Sequence, residues 1–95
     1  MFDDYDEIRI ALLGAGFIPV DRCGQVYTRL DEDKEFTVNF PTRTVTAVYP
    51  DKEYNSRNPY SHKNNESYFT WKEADTNLLI LECMKKFAND ICKQK

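Results

Sequence analysis

The side chains with catalytic or metal-binding chemistry are few in this sequence and lie far apart along the chain. His62 is the only histidine, so a histidine acid, base or ligand would need carboxylate or thiol partners brought to it by folding. Cys23 lies in a turn beside Gly24, with no base near it in sequence. Cys83 and Cys92 are nine residues apart on a predicted helix, which places them on opposite sides of it. These residues predict no catalytic site, no metal site and no cofactor, and we expect a protein that is not an enzyme.

An acidic run at Asp31, Glu32 and Asp33 is the second group of ionisable side chains. Adjacent carboxylates at a hairpin tip discourage pairing with other strands, and they also steer a protein toward a basic target. Phosphate-binding loops need glycines that open a helix, whereas the three glycines of this chain follow a helix or shape a turn. The acidic run is therefore included in the predicted partner-binding surface, and a phosphate-binding loop is not predicted.

The segment YNSRNPYSHKNNESYFTW, at positions 54–71, is rich in tyrosine and in polar and basic side chains. Tyrosine and arginine dominate binding hot spots because each offers a large contact area. Loops longer than about 12 to 15 residues in a small domain tend to be functional or disordered, and disordered segments contain few aromatic residues. An alternative of equal weight is that Tyr54, Tyr60 and Tyr68 fold back over a small core. The predicted partner-binding residues are Tyr54, Arg57, Asn58, Tyr60, His62, Lys63 and Tyr68, together with Asp31, Glu32 and Asp33.

Length and composition restrict the class of protein. The chain has 95 residues, a net charge of −3, 41% hydrophobic residues and 31% charged residues, which predicts one well-solvated domain over residues 1–95. No apolar run is long enough to cross a membrane, and the first residues are acidic rather than basic. Three cysteines without CxxC spacing are typical of reduced thiols. We therefore expect a cytoplasmic protein without a membrane partner.

The elements that position these residues are predicted from the periodicity of apolar side chains. Residues 1–16 are predicted to form a helix, because apolar residues recur at spacings of three and four and because Asp4 and Glu7 have the spacing of a capping box. Residues 17–49 alternate apolar and polar side chains between short turns, which predicts three or four antiparallel strands. Short connections place neighbouring strands side by side, so the predicted order is a meander.

The second half of the chain is predicted to contain a loop and a helix. Residues 50–69 lack regular periodicity and predict a long polar and aromatic loop, with a short fifth strand near its end left open. Residues 70–93 predict a long helix, because Thr70 and Glu73 have capping-box spacing and an apolar stripe follows them. The chain is therefore expected to be an α+β protein that ends in a long helix.

Both helices are expected to cover one face of the sheet in a small two-layer domain. The opposite face is rich in threonine and is expected to stay open. We also assign Tyr27, Arg29 and Val48 to this open face. A second copy of the chain could pack there, so the sequence does not decide between a monomer and a homodimer. The face to be covered carries Phe36, Val38, Phe40, Val45 and Ala47.

The order of a helix, antiparallel strands and a second helix resembles that of double-stranded-RNA-binding domains and of small toxin ribonucleases. Such toxins have a histidine shortly after the first helix. At that point this chain has Gly24-Gln25-Val26, and its histidine is at position 62. The resemblance is therefore one of topology alone, and membership of neither family is predicted.

The leading functional hypothesis is a non-enzymatic protein-binding domain that inhibits or occludes a macromolecular partner. Small size, negative net charge and absent catalytic chemistry are typical of viral or mobile-element accessory proteins that act on host defence or nucleic-acid machinery. The alternative is an RNA-binding or nucleotide-sequestering protein that uses the tyrosines and cations of residues 52–71. A sequence pI of about 5.1 favours a protein partner, because nucleic-acid-binding domains generally have a pI above about 9.

Overall fold

Five antiparallel strands form one sheet in which each strand pairs with its neighbours in the chain. The computed structural model describes residues 5–93. The predicted α+β class and the meander are confirmed, with five strands where three or four were expected. The strands are β1 (Ile18–Pro19), β2 (Val26–Asp31), β3 (Lys34–Asn39), β4 (Thr44–Pro50) and β5 (Asn64–Thr70), and the helices are α1 (Asp6–Gly14), α2 (Lys52–Arg57) and α3 (Asn77–Lys93).

One face of the sheet carries the hydrophobic core. Side chains alternate between the two faces of each strand, so directly paired residues such as Val38 and Val45 lie on the same face. Both α1 and α3 cover this face, and they bury Ile8 and Ile80 almost completely. The expected arrangement, with both of these helices on one face of the sheet, is confirmed. The buried core consists of Ile8, Leu12, Tyr27, Phe36, Val38, Phe40, Val45, Ala47, Trp71, Ile80 and Ile91.

An aromatic cluster connects the start of α1 to the end of β5. The rings of Tyr5 and Phe40 stack with their centroids 5.3 Å apart, and Trp71 meets both rings edge-on. The indole Nε1 of Trp71 donates a hydrogen bond to the hydroxyl of Tyr5 over 3.2 Å, so this polar atom is satisfied within the core. The guanidinium of Arg9 lies 4.7 Å from the centroid of the Phe40 ring. These contacts fix the position of α1 on the sheet.

α1 starts later than predicted and without a side-chain cap. The helix begins at Asp6, after Tyr5, whose side chain makes no capping hydrogen bond. The predicted N-cap, Asp4, lies outside the described residues. Asp6 and Glu7 occupy the first turn, where their negative charge interacts favourably with the helix dipole. Ring packing of Tyr5 therefore accompanies the start of this helix.

α3 also starts later than predicted, because its predicted first residue belongs to the sheet. Thr70 is paired with β4, so its backbone is extended and the predicted capping box does not form. Instead, the hydroxyl of Thr76 accepts a hydrogen bond from the N–H of Leu79 over 3.2 Å and caps the helix. The predicted helix over 70–93 is therefore corrected to Asn77–Lys93.

The predicted loop over residues 50–69 is wrong, because this range contains α2 and most of β5. β5 pairs with β4 along its whole length, from Asn64 to Thr70. Its inward-facing residues are Asn65, Ser67 and Phe69, of which only the phenylalanine is strongly apolar. Polar inward residues hide a strand from any search for apolar periodicity, which explains why the sequence predicted a loop.

Two side chains of β2 that were predicted to lie on the open face, Tyr27 and Arg29, lie on the covered face instead. Tyr27 pairs with Val38 and is 6% exposed, and its ring meets Phe40 edge-on. Arg29 lies on the same covered face, whereas Val48 lies on the open face as predicted. A homodimer that packs through Tyr27 and Arg29 on the open face is therefore excluded.

The packing of α1 predicts that two isoleucines on this helix contribute very differently to the free energy of unfolding. Ile8 is 0% exposed and Ile10 is 70% exposed. We expect Ile8→Ala to lower the free energy of unfolding by about 2 to 5 kcal/mol, because it leaves a cavity in the core. The matched control, Ile10→Ala, should change it by less than about 0.5 kcal/mol. Urea denaturation followed by circular dichroism measures both, and equal effects would contradict the described packing.

Candidate functional site

Hydrogen bonds close the connection between β4 and β5 into a defined loop, here called the α2 loop (residues 51–63). The carboxylate of Asp51 accepts the N–H of Tyr54 over 3.1 Å and so caps α2. The side chain of Asn55 joins the two ends of the loop, because it donates to the carbonyl of Lys63 over 3.0 Å and accepts the N–H of the same residue over 2.9 Å. The backbone N–H of Asp51 also donates to that carbonyl over 2.9 Å. Residues 54–63 of the predicted binding segment therefore belong to a loop held in place by hydrogen bonds at both ends.

The α2 loop exposes the aromatic residues that were predicted to bind a partner. Tyr60 is 98% exposed and Tyr54 is 42% exposed. The alternative in which the tyrosines cover the core is wrong, since Tyr68 is also 68% exposed. The ammonium of Lys63 lies 4.7 Å from the centroid of the Tyr54 ring, which limits the movement of that ring. Asn58 ends α2 with two hydrogen bonds to the carbonyl of Tyr54.

The acidic hairpin tip between β2 and β3 (the β2–β3 tip, residues 31–34) lies beside the α2 loop. Oδ2 of Asp33 is 3.5 Å from Nζ of Lys52, which follows the cap of α2. Glu32 is exposed at the turn with a left-handed backbone, φ 59°. Asp31 faces Arg29 instead, with 4.0 Å between their charged atoms. Folding therefore brings Asp33 to the α2 loop, while Asp31 pairs with Arg29 on the covered face of the sheet.

The pKa of the Asp33 carboxyl is lowered from its ordinary value. Partial desolvation is the largest single influence and raises this pKa. The Lys52 charge, hydrogen bonding from the backbone of Asp33 itself, and the Lys34 side chain act in the opposite direction and together outweigh it. The ionised form of Asp33 is therefore favoured where the tip meets the loop.

Each cation of the α2 loop has a carboxylate partner. Besides the pair of Lys52 with Asp33, Nζ of Lys63 is 3.9 Å from Oδ2 of Asp51. A guanidinium nitrogen of Arg57 is 3.1 Å from the carboxylate of Glu53, one helical turn away. A depression of about 190 Å³ between tip and loop is lined by both signs of charge. The surface therefore lacks the concentrated positive charge that attracts a phosphate backbone.

Tyr68 does not belong to the same surface. It lies on β5 opposite Thr46, on the open face of the sheet. The outward residues of this face within β2 to β5 include two carboxylates, Glu35 and Glu66, and no lysine or arginine. The five threonines among them are Thr28, Thr37, Thr44, Thr46 and Thr70. The open face is therefore polar and slightly acidic.

The residues with catalytic chemistry remain apart in the folded chain. His62 is exposed in the α2 loop, and the three cysteines are free and exposed. Within residues 5–93, no group of three or more histidine, cysteine, aspartate or glutamate side chains could hold a metal ion. No helix in this part of the chain is long and apolar enough to span a bilayer.

A groove between α1 and α3 was missed by the sequence analysis. It encloses about 260 Å³, its floor is formed by the inward residues of β3 and β4, and Arg29 lies at its rim. Ala11 of α1 and Ala15, the C-cap residue of this helix, leave this space beside Leu81 and Met84 of α3. Two small residues at helical spacing were the available signal. Whether such residues leave a groove depends on the distance between α1 and α3, which the periodicity of the sequence does not give.

Comparisons of the chain with protein-family models, with curated proteins and with solved structures found no match.

The ion pair between the β2–β3 tip and the α2 loop predicts a change in the pKa of Asp33 that NMR can detect. Lys52→Gln removes a positive charge that lowers the pKa of Asp33, so that pKa should rise. The control, Lys63→Gln, removes an equal charge whose carboxylate neighbour is Asp51, and it should leave Asp33 nearly unchanged. A titration of the carboxyl ¹³C signal of Asp33 in the three proteins measures this. Equal shifts in both variants would contradict a specific contact of Lys52 with Asp33.

Proposed function

We propose that this chain is a cytoplasmic, non-enzymatic protein-binding domain that occludes a macromolecular partner through the α2 loop and the β2–β3 tip. The observation that carries the proposal is the exposed ring of Tyr60, held on a loop whose ends are joined by Asn55 and Asp51. A fully exposed tyrosine gains nothing from packing within its own chain. It is well suited to enter a pocket on another protein.

The order of the α2 loop favours binding because it reduces the entropic cost of association. Immobilising a flexible side chain or loop at an interface costs about 0.5 to 1.5 kcal/mol for each side chain. The Asp51 cap and the two hydrogen bonds of Asn55 already fix the backbone on either side of Tyr60. More of the contact energy of the tyrosine therefore contributes to affinity.

The charges of this end of the molecule favour a partner with basic groups. Glu32 is exposed at the tip, Asp33 beside it pairs with Lys52, and the whole chain has a net charge of −3. Carboxylates in such positions attract cationic surfaces and increase the rate of encounter. A basic, nucleic-acid-binding surface on the partner would be covered by carboxylates that take the place of phosphates. Occlusion of such a surface is the proposed mode of action.

The alternative, binding of RNA or of a nucleotide, has less support from the geometry. The cations available to phosphates, Lys52, Arg57 and Lys63, each lie within 4 Å of a carboxylate. A phosphate would have to displace these carboxylates or be repelled by them. Stacking of bases on the exposed tyrosine rings is the interaction that would favour this alternative.

The proposal predicts that one side chain dominates the affinity. The partner is first captured from nuclease-treated cell lysate with the tagged wild-type chain and identified by mass spectrometry, and its affinity is then measured by calorimetry. We expect Tyr60→Ala to raise the Kd about 30-fold or more, the effect of a hot-spot residue. Asn55→Ala keeps the tyrosine but loosens the loop, so it should raise the Kd by a smaller factor.

The control variant is Leu78→Ala, which removes an apolar side chain that is 68% exposed at the start of α3. It should leave the Kd unchanged, because α3 begins at the opposite end of the sheet from the α2 loop. Recovery of only nucleic acid or nucleotide would support the alternative. An identified protein partner whose Kd does not respond to Tyr60→Ala would contradict the proposed surface.

A further inference from the structure

The two edges of the sheet differ in how well they are protected from pairing with another strand. β1 is two residues long and includes Pro19, which cannot donate a hydrogen bond. β5 has seven residues, pairs with β4 without a bulge, and contains one charged residue, Glu66. Natural proteins usually shorten an edge strand, bend it with a bulge, or place charges or proline on it. β5 is therefore the edge that remains suited to pairing.

The pairing with β4 determines which backbone groups of β5 point away from the sheet. The N–H of Asp51 donates to the carbonyl of Lys63, and the N–H of Trp71 donates to the carbonyl of Arg43. In an antiparallel pair, hydrogen-bonded and non-hydrogen-bonded positions alternate. It follows that Asn65, Ser67 and Phe69 direct their backbone groups toward β4. The residues whose N–H and C=O groups point outward are Asn64, Glu66, Tyr68 and Thr70.

We infer that a second copy of this chain pairs with β5 in antiparallel orientation, about a two-fold axis at Ser67. Ser67 is the central residue of β5, so this register pairs the full length of both strands. The four outward residues of each copy each supply one N–H donor, which gives about eight hydrogen bonds between the copies. The product is one continuous sheet of two five-stranded halves.

Charge and overlap distinguish this register from the two nearest ones. Centring the pair on Ser67 places Glu66 opposite Tyr68 of the second copy, and Asn64 opposite Thr70. Centring it on Glu66 sets two carboxylates directly opposite each other, which is destabilising. Centring it on Tyr68 leaves two residues of each strand unpaired. In its longest register β5 opposes no like charges, so a second copy can pair along the whole strand.

A cysteine at the axis tests the pairing directly. Directly opposed residues at a non-hydrogen-bonded position have Cα atoms about 4.5 Å apart, close enough for a disulfide. In a background in which Cys23, Cys83 and Cys92 are replaced by serine, Ser67→Cys should form a covalent dimer under mild oxidation. The control, Asn65→Cys, lies on the same strand and face but opposite Phe69 of the second copy, so it should stay monomeric. Nonreducing electrophoresis and mass spectrometry read the result.

A second measurement compares the self-association of the wild-type chain with that of two variants at position 68. Sedimentation equilibrium of the unmodified chain should show a monomer–dimer equilibrium at micromolar to submillimolar concentration. Tyr68→Pro removes an outward N–H without removing a donor to β4, and it should weaken the dimer by about tenfold or more. Tyr68→Ala removes the same ring but keeps the N–H, and it should weaken the dimer less. Circular dichroism confirms that both variants fold.

Three results would overturn the inference. The wild-type chain could stay monomeric over the whole concentration range, the two cysteine variants could cross-link equally, or Tyr68→Pro could leave the dimerisation constant unchanged. The cross-linking test does not depend on the folding of the proline variant. None of these results bears on Tyr60, so the inference and the proposed function are tested separately.

Discussion

The alternation of side chains in β3 and β4 is the constraint on which the rest of the fold depends. Their register places Phe36, Val38, Val45 and Ala47 on one face, and the outward residues of both strands are mostly polar. A sheet with one apolar face must cover that face, and in this chain α1 and α3 do so. A shift of one residue between the two strands would turn the apolar set to solvent and remove the support for both helices. The register is therefore strongly specified by burial.

The sequence predicted the elements whose buried residues are apolar and missed those whose buried residues are polar. α3 was predicted because Ile80 and Ile91 belong to a regular apolar stripe, and both are buried. β5 was missed because Asn65 and Ser67 face inward, where the hydroxyl of Ser67 is satisfied by that of Tyr49 at 3.0 Å. A hydrogen bond between two strands leaves no periodic signal in the sequence of either.

Contacts between side chains of the candidate surface were also not predictable from the periodicity of the sequence. The sequence assigned Tyr60 and the acidic tip to one predicted partner-binding surface, but gave no contact between them. Their proximity follows from strand count, because in a meander the β2–β3 and β4–β5 connections lie at the same end of the sheet. The pairing of Glu35 with Val48 brings Asp33 close to Lys52, but the ion pair between these two side chains cannot be read from periodicity.

The contact of Tyr5 with Trp71 has a consequence for how the chain reaches this fold. The two residues are separated by 66 positions, and all five strands of the sheet lie between them in the chain. Contacts of such long sequence separation slow folding, because much chain entropy is lost before they form. Trp71 is also the only tryptophan, and it is buried in this cluster. We therefore expect its fluorescence to report the closure of this long-range contact, in which the start of the first helix meets the end of β5.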